Sequence, residues 1–330
     1  MLYYLLRRSL YMLLLLVVLS MAGFAIIQLP PGDYLNSYIQ ALAMRGAAPD
    51  EAELAALKRQ YGLDLPLHRQ YLKWAGRALA GDFGRSMDWR KPVSELIADR
   101  MLLTVIMNAA AMVFIYVVAI PIGIFAATHQ YSVGDHALTV VSLTGLATPQ
   151  FLLALVLMVF MVRNFGASVG GLFSPEYVDA AWSVGRVIDL LAHLPVPVVI
   201  IGLSGTAALI RVMRSGVLDE LKKQYVVTAR AKGATERALL FKYPVRVAIN
   251  PIISTVGWML PATISGGTIT AVVLSLPTVG PMLLRALRNQ DMFLGGTIVM
   301  LLGFLTVIGT FVSDMLLMWI DPRIRYERSR

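Results

Sequence analysis

Cysteine is absent from the 330 residues, which excludes a disulfide framework, a thiolate nucleophile and a cysteine metal site. Charge is scarce as well: Asp, Glu, Lys and Arg make up 15% of the chain, against roughly 25% in soluble domains. No Gly-x-x-x-x-Gly-Lys-Ser/Thr phosphate loop occurs, so the sequence offers no nucleotide-hydrolysing site of that kind. His68, His129, His136 and His193 are isolated and lack the paired spacing of a zinc helix. An intramembrane enzyme would need polar catalytic groups clustered at one interface, and no nucleophile–base pairing is visible. No internal duplication argues for a repeat architecture.

What the chain does have is oil. Hydrophobic residues make up 57%, and the mean hydropathy is +0.68. They fall into blocks at 9–29, 101–128, 137–162, 194–210, 252–276 and 293–313, each near the ~20 residues that a bilayer-spanning helix needs. Continuous apolarity without strict alternation argues for helices over a barrel. The expectation is an all-α membrane protein with six transmembrane helices in a single domain over 1–330. Pro121, Pro261 and the Gly266-Gly267 pair fall inside spans and mark kinks or close helix contacts. The first block is read as a span and not a cleaved signal, because apolarity continues through Gly23-Phe-Ala-Ile-Ile27 without a polar break.

Basic residues set the expected topology. The 211–246 stretch carries nine Lys and Arg, among them Arg211, Arg214, Arg230 and Arg246, against Asp219, Glu220 and Glu236. Short loops rich in Lys and Arg stay in the cytoplasm. Arg7 and Arg8 near the start and Arg323, Arg325, Arg328 and Arg330 near the end then fall on the same side, as six crossings require. The net charge of +9 is accordingly assigned to anionic membrane lipid; no basic run is interleaved with aromatics, as nucleic-acid binding would need.

Residues 30–100 between the first two spans read as an external helical cap. Asp50 and Glu53 resemble a capping box ahead of Leu54, Leu57 and Tyr61. A second amphipathic helix carries Leu67, Tyr71, Trp74, Ala78 and Leu79, and a third, Val93 to Asp99, is expected to lay its apolar side along the membrane face. The outer loop from Arg163 to His193 has room for a short helix. Between spans four and five, residues 211–250 form a cytoplasmic helix-turn-helix: one amphipathic helix from Ser215 to Tyr225, a reversal at Gly233, and a second helix from Thr235 to Tyr243. A stiff knob of this kind transmits force from a motor protein to spans that the motor does not touch. Ala229, Ala231 and Gly233 permit close approach, and Arg230 and Lys232 suit acids on a partner.

The span centres hold no charged residue, which disfavours a secondary transporter built on an intramembrane proton or sodium relay. They do hold amides and hydroxyls, and Asn108, Gln150, Thr263, Ser265 and Thr268 are candidates for a translocation path. Such side chains in spans commonly bond their own helix backbone instead.

The string Thr228-Ala-Arg-Ala-Lys-Gly233 resembles the EAA loop of permease subunits of binding-protein-dependent ABC importers, in the version of the dipeptide/oligopeptide/nickel group. Ala248-Ile-Asn-Pro251 resembles the region that follows it. Further matches are Pro30-Pro-Gly-Asp33, Tyr61-Gly-Leu-Asp-Leu-Pro66, Gly81-Asp-Phe-Gly-Arg-Ser86 and Asp321-Pro-Arg-Ile-Arg-Tyr326, in order along almost the whole chain. The resemblance implies an inner-membrane pore of a bacterial importer. It would be built with a second homologous permease, driven by two cytoplasmic ATPase subunits that handle ATP and magnesium, and fed by a periplasmic or extracellular solute-binding protein. No cofactor belongs to this chain itself. Contact with the ATPase is implied for Thr228, Ala229, Arg230, Ala231, Lys232, Gly233 and Glu236. Val227 stands where the wider pattern begins with glutamate. Ala271 and Ser275-Leu-Pro-Thr-Val-Gly280 stand where relatives carry a glutamate and Ser-Trp-Pro-Gly-Leu-Gly. Peptides are the implied solute, with neutral oligosaccharides, opines or nickel as alternatives.

Overall fold

A computed structural model describes residues 2–28, 65–166 and 169–320, with positions 39 and 55. Pro30–Asp33, the Asp50 capping box and its helix, most of the Tyr61–Pro66 motif and Asp321–Tyr326 lie outside the described residues. Among the described residues the chain is helical, and its sole bridge pairs Arg85 with Pro92. The helices are α1 Leu2–Gln28, α2 Leu67–Leu79, α3 Val93–Thr128, α4 Val133–Ala147, α5 Gln150–Phe165, α6 Val184–His193, α7 Pro195–Leu221, α8 Gln224–Ala231, α9 Glu236–Lys242, α10 Pro244–Ser254, α11 Val256–Val273, α12 Val279–Arg288 and α13 Met292–Ile320. Of these, α3, α7 and residues 293–316 of α13 are each long and apolar enough to cross a bilayer, and α4 with α5 passes as a bent pair. The chain divides into two compact units, residues 1–103 with 278–307, and 104–277 with 308–330.

In the first unit, α2 forms where the three-to-four spacing of Leu67, Tyr71 and Trp74 places it, and Trp74 packs against Phe24 of α1 at 6.1 Å between ring centroids. The helix from Val93 departs from the expected surface-lying arrangement. Val93 and Ile97 are fully buried in a core with Phe24, Trp74, Met282 and Leu294, because α12, a short amphipathic helix that periodicity over the spans passed by, supplies Val279, Met282 and Ala286 to cover them. The Gly81–Ser86 motif is a knuckle on the start of α13. Gly84 has φ +77°, and a methyl there would meet the Phe293 ring at 2.8 Å. The Ser86 hydroxyl donates to the buried Asp291 carboxylate, which also accepts from the Asp88 and Leu294 N–H groups at 3.1 Å each. Asp291 thereby caps α13 while fixing the loop. Arg285 binds Asp88 at 2.9 Å and lies 4.4 Å over the Trp89 ring.

The second unit is built round α7. Met107, Ala111, Ile115 and Ala119 of α3 are buried at every fourth position, whereas Val113 and Val117 on its other side are 63% and 64% exposed. One stripe faces protein and the other faces the surroundings. Ile115 and Ala119 of the stripe share a core with Leu209, Met213 and Val217 of α7 and Val245, Ala248 and Ile252 of α10. Arg214 of α7 grips Asp135 of α4 through two bonds of 2.8 and 2.7 Å. Asp135 is 2% exposed and takes a third bond from the Tyr131 N–H, so this buried charge is both paired and hydrogen-bonded.

The apolar block 137–162 is not one straight helix. It breaks at Thr148-Pro149 and bends by 101°. Pro149 has no N–H to donate and drives Thr148 into extended geometry, ψ 122°. The 252–276 block likewise starts inside α10 and resumes as α11 after Thr255. The Ser215–Tyr225 helix is instead the tail of α7, which runs unbroken to Leu221 and leaves Tyr225 in α8. In the outer loop, α6 is the expected short helix. The buried Arg186 lies 4.7 and 4.5 Å from the Phe173 and Trp182 rings.

Candidate functional site

Residues 224–242 form a short hairpin of α8 and α9. Its turn is a Schellman motif: the Gly233 N–H donates to Arg230 O at 3.0 Å and the Ala234 N–H to Ala229 O at 3.3 Å. Gly233 has φ +83°, with open space where a methyl would sit. Backbone conformation, and not crowding, therefore calls for glycine here. Thr235 occupies the position before α9, although its hydroxyl makes no capping bond.

An ion pair closes the hairpin. Arg230 Nε donates to Glu236 Oε1 at 2.6 Å and Nη2 to Oε2 at 3.0 Å. This fork geometry holds two planar groups in register. The hydrogen bond from Arg230 holds the Glu236 carboxyl below its ordinary value, and Glu236 raises Arg230 in return. Arg230, expected to reach for a partner's acid, is thus engaged within the turn, while Lys232 is exposed beside it. Tyr225 donates to Glu220; burial first and this bond second push its hydroxyl up to about 12.

The hairpin is anchored by Val226 and Leu239, both fully buried. Its outward side presents Thr228, Arg230, Ala231, Lys232, Gly233 and Glu236, together with exposed Val227 and Phe241; Ala229 is half-buried. Exposed apolar groups flanked by charge are the composition of a docking surface. Val227 and Phe241 lie outside the Thr-to-Gly string, and nothing in their spacing pointed to this exposure. Behind the hairpin, α10 lies along α7 so closely that a methyl on Gly216 would stand 3.3 Å from the Ala248 Cβ. The hairpin is thereby joined through α10 to α7 by direct helix contact.

The candidate path residues lie on three helices, α3, α5 and α11. Asn108 is buried on α3, and its amide donates to Thr104 O of its own helix at 2.8 Å. Gln150 opens α5 and donates to Ile201 O at 3.2 Å and Ser204 Oγ at 2.7 Å on α7. Thr268 is half-buried on α11, a helix that packs on both α5 and α7. Thr263 and Ser265 lie on the same helix, with side chains outside the described residues. Gln150 and Thr268 therefore belong to one three-helix group.

Residues 119–326 match the family described as binding-protein-dependent transport system inner membrane component, and residues 1–108 match that family's N-terminal component. A peptide permease protein of Brucella ovis is 35% identical over 98% of this chain and 99% of its own. The oligopeptide transport system permease protein AppB of Bacillus subtilis is 31% identical over 98% and 99%. The dipeptide transport system permease protein DppB of Escherichia coli K12 is 30% identical over 99% and 100%. The fold is similar to that of the MetNI methionine ABC transporter, with a TM-score of 0.53, 14% identity and coverage of 68% of this chain and 96% of that one. With the hairpin, the apolar helices and these matches together, the chain belongs to the binding-protein-dependent transport system inner membrane component family, and it is an inner-membrane permease of an ABC importer.

Proposed function

We propose that this permease imports peptides or similar small solutes, passing them inward by alternating access. The Schellman-turned hairpin carries the reading: it is closed by its own ion pair, exposed on its outward side and seated through α10 on α7. An ATPase subunit docks on Thr228, Ala229, Arg230, Ala231, Lys232, Gly233 and Glu236, and its closure displaces the hairpin and tilts the helices attached to it. In this reading the chain crosses six times with both termini cytoplasmic, pairs with a second homologous permease, and receives solute from an external binding protein. The peptide assignment rests on the likeness to peptide, oligopeptide and dipeptide permeases.

Gly233→Pro and Arg230→Glu test the coupling. The first removes an N–H that bonds Arg230 O and forbids φ +83°, at about 3 kcal/mol or more of local stability. In proteoliposomes both variants should insert normally and hydrolyse ATP without uptake; normal uptake in both would place the contact elsewhere. Calorimetry of the cognate binding protein with di- and oligopeptides, nickel and neutral oligosaccharides tests the solute. A sugar-only or nickel-only response would replace the peptide reading.

A further inference from the structure

Between α1 and α2 lies an open apolar groove of about 550 Å³, within the ~300–1,000 Å³ of small-molecule sites. One wall is Met21, Phe24 and Ala25, at successive helical turns of α1; the other is Leu67, Tyr71 and Leu72 of α2. The hydroxyls beside it are turned out of it. The Ser20 hydroxyl donates to Val17 O at 2.8 Å and leaves its oxygen to accept from Tyr71 at 2.8 Å, so the tyrosine presents carbon to the groove.

Two observations identify the occupant. First, the α1 wall continues a lipid-facing surface: Leu10, Leu13, Leu14, Val17, Val18 and Met21 are each about half exposed or more on this inner-membrane chain. Second, charge beside the groove has one sign. His68 lines it, and Arg69 and Lys73 follow His68 and Leu72, one step of about 100° round the helix. No acid occurs in α2, and among the described residues Arg69 and Lys73 form no ion pair, whereas Arg77 is held by Asp82 at 2.8 Å. We propose that the groove binds one acyl chain of an anionic phospholipid whose phosphate is held by His68, Arg69 and Lys73.

The full-length chain, purified in its membrane complex into phosphatidylcholine nanodiscs, tests this with trace diazirine-acyl phosphatidylglycerol or its phosphatidylcholine counterpart. Phosphatidylglycerol should label peptides 21–25 and 67–72 in excess of phosphatidylcholine. Arg69→Glu and Lys73→Glu should each lower that excess roughly fivefold, with phosphatidylcholine labelling unchanged. Ala25→Trp should remove labelling by both lipids while thermal unfolding stays cooperative; if it fails to fold, Leu72→Trp fills the groove from the other wall. Labelling absent from both walls, equal for the two headgroups, or undiminished when the groove is filled overturns the proposal.

Discussion

Gly233, Arg230 and Glu236 stabilise one turn in different ways: the glycine takes a left-handed φ that costs other residues about 1–2 kcal/mol, and the ion pair fixes the two helices it joins. The pair's internal character yields a test of what Arg230 does. If its role is to close the hairpin, Arg230→Glu should impair transport and the exchange of both charges, Arg230→Glu with Glu236→Arg, should restore most of it. Loss in both forms would assign Arg230 to the partner's surface. Glu236 titrates below its ordinary 4.5 when folded, so its contribution is complete above that value and is lost as pH falls through the lower one. Coupling should therefore show no pH dependence from this pair between about 8 and 5, a result that ATPase stimulation across that range checks.

Among the described elements, α10 packs on both α9 of the hairpin and α7. Ala248 on α10 and Gly216 on α7 are small because the two backbones approach closely. Ala248→Leu should overpack the contact by about 1–3 kcal/mol. ATPase binding should persist and uptake per ATP should fall, as pull-down and transport assays on one preparation will read. Much at this scale was legible in advance. Leu67, Tyr71 and Trp74 placed α2, and Gly233 placed the turn, since each rests on contacts or dihedrals local in sequence. The break at Pro149 was hidden by the apolarity of 137–162, which scores composition and not backbone continuity. Burial of Val93 and Ile97 depends on α12, nearly 200 residues away, and the Ser86–Asp291 and Arg214–Asp135 pairs likewise join segments too distant for any spacing rule. The candidate path was the least legible in sequence, because a hydroxyl or amide in an oily helix is equally suited to its own backbone, as the Asn108 amide shows.

For the whole molecule, six crossings require the bent pair α4–α5 to traverse the membrane, although neither helix alone reaches ~30 Å. The absence of native cysteine makes this directly measurable. Val133→Cys and Phe165→Cys, at sites 87% and 67% exposed, should react with an impermeant maleimide from opposite faces; reaction from one face would make the pair a re-entrant hairpin. One feature of the second unit bears on how such a machine keeps time. Helix α7 is uninterrupted from Pro195 to Leu221, about 40 Å end to end. On the coupling reading proposed above, a helix of that length would shift as one piece, and its two junctions are where displacement would enter and leave it.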